Sequence, residues 1–247
     1  MTLRLERVTP AVRAKAAPFL EELAKLVGPA AHSLHLVGSA VTPDWNAGHS
    51  DINTLLVLFE MDLAVLESIA PLGQRYKGSG IAPPLVMDEA YVRSSLDIFP
   101  MEFLEMRLIH ETVLGEDLFA AMRIDRGDLR QQCEREVKSR LLGLRQGYLR
   151  ALGEPKALTE TLVRFLSGYQ PLARGILVLL GTEPPLRRAE AFAALEKVVG
   201  PDAAVFGEML AVKEGREKPD AKGVRDLFER CHRATERLGR IVDEHTE

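Results

Sequence analysis

The sequence predicts an α+β protein, with a mixed-sheet N-terminal domain over residues 1–125 and an all-α helical bundle over residues 126–247. Two observations carry this reading. Up to about residue 125, short apolar runs of strand length alternate with segments of helical period, the order expected of a mixed α/β unit. Beyond Arg126 the apolar residues recur at helical spacing alone, broken by Gly and Pro clusters such as GTEPP and GREKPDAKG. A chain of 247 residues is long enough for one large domain or two ordinary ones. Its 46% hydrophobic and 28% charged residues are the balance of a folded soluble chain.

The elements follow in order. Thr9-Pro10 reads as a helix cap and first helical position, opening AVRAKAAPFLEELAKLVG, which stops at Gly28 and is kinked or restarted by Pro18. Leu34 to Val37 is a short strand, and Leu55 to Phe59 a second, apolar on both faces. DLAVLESIAPLGQRYKG is helical and ends in the link Gly78-Ser79-Gly80. PPLVMDEAYVRSS gives a strand and a brief helix. SLDIFPMEF reads as the third main strand, closed by Pro100, and EMRLIHETVLGEDLFAAM as helix. A long amphipathic helix with Asp128 as cap follows, then helical segments around 157–180, 186–199, 202–213 and 219–245, which make a bundle of four or five helices.

The bulk numbers exclude some classes. A net charge of −4 gives no support to a generally basic nucleic-acid binder. Cys133 and Cys231 show no metal-ligand spacing and are expected as reduced thiols, with a disulfide only if the fold brings them together. The N-terminus has interspersed charges and no signal-peptide core, and the longest apolar run, GILVLLG, is too short to span a bilayer. The expected location is the cytoplasm, without a membrane partner.

Chemistry concentrates in LHLVGSAVTPDWNAGHSDINTLLVLFE, residues 34–60. A Gly-Ser turn at Gly38-Ser39 lets backbone approach a phosphate, although a bare Gly-Ser pair is also an ordinary turn. Asp51, preceded by Ser50, opens the second strand, and alternation puts residues 51 and 53 on one face. Two carboxylates there would hold divalent cations, with a third from a neighbouring strand, where Asp97 stands. At 53, however, the residue is Asn.

Gly38, Ser39, Asp51, Ile52 and Asp97 together resemble the nucleotidyltransferase superfamily with the DNA polymerase β-like palm. The α/β half followed by a helical half is also similar to the small-molecule, aminoglycoside-type members. The resemblance implies an NTP substrate and attack of an acceptor hydroxyl on the α-phosphate, with Mg²⁺ as cofactor. It implies Asp51 and Asp97 as catalytic residues, Asp51, Asn53 and Asp97 as metal ligands, and Gly38, Ser39 and Ser50 as nucleotide contacts. Asn53 stands where the family has its second acid. It keeps an oxygen ligand but removes a full charge, which weakens Mg²⁺ binding.

Other residues bear on the same site. Asp44, Asp88, Glu89 and Glu102 are acids that would compensate for Asn53, Glu102 being poorly placed for it. Arg75 and Lys77 would neutralise triphosphate charge or simply complement a helix C-terminus. Trp45 would stack on a base or pack its loop down, and His49 would touch a phosphate or lie exposed. Arg225/His232 and Arg240/His245 have the Arg-to-His spacing of HEPN-type ribonucleases, a pattern that arises readily in an Arg-rich chain. The alternatives to an active transferase are a catalytically weakened nucleotide-binding or scaffold module, and a toxin–antitoxin component. A helical half with several apolar faces also allows a homodimer.

Overall fold

A computed structural model describes residues 2–48 and 50–245. The chain divides into two compact units, Met1–Asp97 with Phe103–Ile124, and Ile98–Glu102 with Asp125–Glu247.

The first unit is built on a four-stranded mixed sheet in the order β3-β2-β1-β4. β1 (Ala31–Val37) runs antiparallel to β2 (Asn53–Leu58) and to β4 (His110–Gly115), while β2 pairs in parallel with β3 (Leu85–Asp88). Leu55 to Leu58 are completely buried, as a continuous apolar run at the centre of a sheet must be. On one face of the sheet lie α1 (Pro10–Val27) and α2 (Leu63–Arg75), closing a core of Val12, Phe19, Leu23, Leu36, Leu56 and Leu72 among others. On the other, Leu55 and Val57 meet Val92, Phe103 and Phe119. Thr9 caps α1, its hydroxyl accepting from Val12 N at 3.4 Å, and Pro18 lies inside one continuous helix without ending it.

Three expectations are corrected. The third main strand expected at SLDIFPMEF is absent: residues 95–98 form a turn and Pro100 begins α4 (Pro100–Leu108). Proline at a helix start needs no donor and is pre-set in φ, and Met101, Phe103 and Leu104 are buried at helical spacing. The edge strand beside β1 is β4, within a stretch whose mixed polar and apolar residues read as helix. The cap of the long helix α5 (Arg126–Ala151) is Asp125, whose carboxylate accepts from Gly127 N and Asp128 N at 2.8 and 3.1 Å. The strand expected at PPLVMDEAYVRSS, with its brief helix, is β3 followed by α3 (Glu89–Ser94).

The second unit is helical. α6 (Pro155–Leu179), buried along most of its length, packs with α5, α7 (Arg188–Val199), α8 (Ala204–Lys213) and α9 (Ala221–Glu244). α5 presents Leu129, Cys133, Val137 and Leu144 to this core, and α9 presents Leu227, Cys231, Ala234, Leu238 and Val242. The Tyr169 hydroxyl finds Thr235 Oγ1 at 2.6 Å, which satisfies both groups inside the bundle. Cys133 and Cys231 are free and buried, and burial pushes each thiol up to about 12. Residues 98–102 group with this unit: Met101 N donates to Gln132 Oε1, and Gln132 Nε2 to Glu102 Oε2, both at 2.7 Å. Among the described residues no helix is long and apolar enough to cross a membrane.

Candidate functional site

The Gly-Ser turn follows β1 directly. Gly38 adopts a left-handed φ of 73°, and its N–H donates to Ile109 O at 3.1 Å, so the chain turns away over Gly38–Val41. A residue with a Cβ would be strained at that φ. Thr42 closes the turn, its N and Oγ1 donating to Ser39 O at 3.0 and 3.1 Å. Antiparallel pairing sets Asn53 opposite Val37, and a Cβ on Gly38 would stand 3.8 Å from Asn53 Nδ2.

Asp51 is fixed from the other side. Ile52 is fully buried and makes an isolated parallel bridge to Ile81, with Ile52 N donating to Gly80 O at 2.9 Å and Ala82 N to Ile52 O at 3.0 Å. This brings Asp51 beside the Gly78–Gly80 link: a Cβ on Gly80 would stand 3.9 Å from Asp51 Oδ1 and collide with Lys15 Nζ. Asp51 and Asn53 are both exposed while Ile52 is buried, the alternation expected of an extended segment. Yet Asp51 turns toward the Gly-rich link on the β3 side, and Asn53 lies against Gly38 on the β1 side.

Around Asp51 opens a cleft of about 920 Å³. Lys15, Ser50, Asp51, Lys77, Ser79 and Gly80 give its polar wall, and Leu66, Ile69, Pro83 and Val86 are among its apolar lining. Two ammonium groups against one carboxylate leave this lining net positive. Gly78 and Gly80, with φ of 79° and 73°, shape the link, and Ser79 N and Oγ hold it to Tyr76 O at 3.0 and 2.6 Å.

The structure therefore brings Ser50, Asp51 and Lys77 to one cleft and Gly38, Ser39 and Asn53 to the neighbouring turn. The Arg75 guanidinium pairs with Glu22 of α1. Asp97, expected on a neighbouring strand, sits exposed in the turn before α4. Asp88 stands across from Leu58, at the opposite end of β2 from Asp51, and serves as cap of α3 by accepting from Tyr91 N at 2.6 Å. Glu89 pairs with Arg93, and Glu102 takes the Gln132 amide. Trp45 packs against the α1–α2 core rather than standing free, and His49 lies outside the described residues. Among the described residues no three His, Cys, Asp or Glu side chains come together as a metal-binding group. Asp51 is the carboxylate that lines the cleft, and Asn53 two residues on adds an oxygen without charge, a set poorer in anionic oxygens than the resemblance implies for Mg²⁺.

Sequence reasoning missed Lys15. It occupies a helical stretch at a position that reads as solvent-facing, and no motif marks it. In the helical unit, His232 Nε2 accepts from Arg145 Nε at 3.2 Å, and His245 Nε2 lies 3.4 Å from Arg126 Nη2. Each histidine is thus met by an arginine other than the one that made the ribonuclease-like spacing.

A second cluster lies on β1 and β4. His35, fully buried, bonds Ser33 Oγ at 2.8 Å and Thr112 Oγ1 at 2.9 Å, with Phe119 edge-on at 4.9 Å. Burial, then the neighbouring His110, lowers its pKa to about 4. His110 Nε2 lies 3.0 Å from Asp117 Oδ1, which also accepts from Phe119 N and Ala120 N at 3.0 and 3.1 Å. Both hydrogen-bond sets have structural partners, and the cluster anchors the turn after β4.

No family model and no curated protein matches the sequence. Among solved structures, the fold matches that of spectinomycin adenyltransferase AAD(9) from Enterococcus faecialis, determined with ATP and spectinomycin. The match has a TM-score of 0.52 at 11% identity and covers 91% of this chain and 98% of that one. The chain thus has a nucleotidyltransferase-like α+β fold with a helical C-terminal part.

Proposed function

We propose that the α/β unit binds a nucleoside triphosphate in the cleft beside Asp51, and that binding outweighs turnover in what its residues are suited to. The observation that carries this is the make-up of the cleft: Lys15 and Lys77 against a single carboxylate, an apolar wall from Leu66, Ile69 and Val86, and a link with two left-handed glycines. Ammonium groups and a closely approaching backbone suit a polyphosphate, and the apolar wall suits a base. The solved adenyltransferase of like fold holds ATP, which supports the choice of ligand.

In this reading Lys15 and Lys77 neutralise phosphate charge, Ser50 and Ser79 offer hydroxyl donors, and the Gly78–Gly80 link admits phosphate oxygens to its backbone. Fast transfer needs more. Stabilising charge that develops on the phosphoryl group, and taking the acceptor's proton, are tasks for further acids or cations. Asp97, the third acid of the family pattern, is exposed on a turn and is not among the residues that line this cleft.

Mg²⁺-dependent nucleotidyl transfer to an acceptor hydroxyl is the second reading. It rests on the likeness of Gly38, Ser39 and Asp51 in the sequence to the family motif, and on the fold. The test measures calorimetric binding of each common NTP alongside release of pyrophosphate with Mg²⁺ present. Binding without pyrophosphate release, including in the presence of small hydroxyl acceptors, is the expected result. Pyrophosphate release that Asp51→Ala abolishes would favour the transferase, and absence of any NTP binding would refute both readings.

A further inference from the structure

The family clamp neutralises nucleotide charge with divalent cations held between acids. Here one acid is an amide, and a lysine approaches the glycine beside the other. We infer that the Lys15 ammonium takes the electrostatic place of a divalent cation next to Asp51, so that the cleft takes a nucleoside triphosphate without metal. The inference rests on the nucleotide-binding reading above and deepens it.

The geometry meets at Gly80. A single added carbon there would run into Lys15 Nζ while standing 3.9 Å from Asp51 Oδ1, so ammonium and carboxylate approach the same small volume from α1 and from the start of β2. Lys15 reaches that point past the Trp45 ring, its Nζ 6.0 Å from the ring centroid. Trp45 in turn packs against the α1–α2 core and offers the cation an aromatic face on a fixed support. The carbonyl of the same Gly80 is taken by Ile52 N at 2.9 Å, so the strand bridge holds the meeting point.

Charge decides which cation suits the position. Mg²⁺ sheds water reluctantly and needs several anionic oxygens to hold it. Asp51 supplies one carboxylate, Asn53 supplies none, and an ammonium already standing beside Asp51 repels a dication. A monovalent, tethered cation matches that lone carboxylate and carries no dehydration cost of a free ion. Lys77 adds a second positive charge to the same lining. A triphosphate entering the cleft then meets two ammonium groups on the same lining as Asp51.

The test titrates ATP, GTP, CTP and UTP into the full chain by calorimetry, in excess EDTA and in Mg²⁺, for wild type, Lys15→Met and Lys15→Arg. Lys15 is only half-buried, and unchanged melting temperatures of the variants confirm that they fold. For at least one NTP, wild type is expected to bind in EDTA with an affinity within about threefold of that in Mg²⁺. Lys15→Met is expected to lose about tenfold or more, the scale of a charge-assisted hydrogen bond, and Lys15→Arg to keep most of the affinity. Binding that requires Mg²⁺ overturns the inference and leaves the nucleotide-binding reading standing. Metal-free binding that Lys15→Met does not weaken also overturns it. If no NTP binds under either condition, the nucleotide-binding reading fails and the inference with it.

Discussion

Arg75 is paired with Glu22 across the contact between α2 and α1. The second carboxylate oxygen of Glu22 accepts from the Tyr76 hydroxyl at 3.0 Å, so the last turn of α2 is tied to α1. Two residues on, Lys77 lines the cleft. The two cations that sequence treats alike are thereby separated. Arg75→Ala is expected to change NTP affinity by less than about twofold, since an exposed ion pair contributes little. Lys77→Ala is expected to weaken binding by roughly fivefold or more through loss of a charge at the phosphates. Parallel titrations of the two variants check this; equal losses would put Arg75 back in the site.

Asn53→Asp places an acid where the nucleotidyltransferase pattern that the sequence resembles has one. Against Gly38, a carboxylate at 53 adds a negative charge two residues along the extended segment from Asp51. Binding of NTP by this variant is expected to respond to Mg²⁺ by about tenfold where wild type responds little. Titration in EDTA and in Mg²⁺ reads the difference. A variant as indifferent to Mg²⁺ as wild type would remove position 53 from any ion site.

The pH dependence of stability is expected to carry the signature of His35. Burial, then His110, holds its pKa at about 4 in the folded state against about 6.5 unfolded. The unfolded chain therefore binds a proton between these values and the folded chain does not. Stability from this residue is complete above pH 6.5 and declines as pH falls toward 4, by roughly 3 kcal/mol in total. Denaturant titrations across that window should show a shallower decline in His35→Gln, which keeps polar partners for Ser33 and Thr112 without titrating.

In the helical unit, close approach of α5 and α6 depends on Gly147. A Cβ there would come within 2.5 Å of Thr161 Cγ2. Gly147→Val is expected to cost about 1–3 kcal/mol by forcing the two helices apart, in spite of the better side chain for burial. Thermal denaturation measures it, and a variant as stable as wild type would show that the contact yields freely.

How much of this was legible in the sequence depends on the range of the interaction. β2 was plain because LLVL is wholly buried and bounded by polar residues. α1 was plain because Thr9-Pro10 and Gly28 mark both ends. SLDIFP misled because it alternates like a strand; only packing of Met101, Phe103 and Leu104 shows that Pro100 starts a helix. β4 was hidden since HETVLG owes its conformation to pairing with β1, not to its own composition. At the site, Asp51 and the glycines announced themselves through a local motif. Lys15 could not: its approach to Gly80, the glycine that also stands near Asp51, joins residues far apart in the chain and exists only once α1 lies along the sheet. Local signals carry turns and caps, and tertiary contact alone carries the cation.

The most direct test of the central claim is amide hydrogen exchange of the full chain with and without saturating NTP. Nucleotide held in the cleft is expected to protect the backbone at Ser50–Ile52 and at Gly78–Ile81, while leaving the turn around His110–Asp117 unchanged. Binding accompanied by protection only elsewhere, or by none, would contradict the account by showing that the cleft beside Asp51 is not where nucleotide sits.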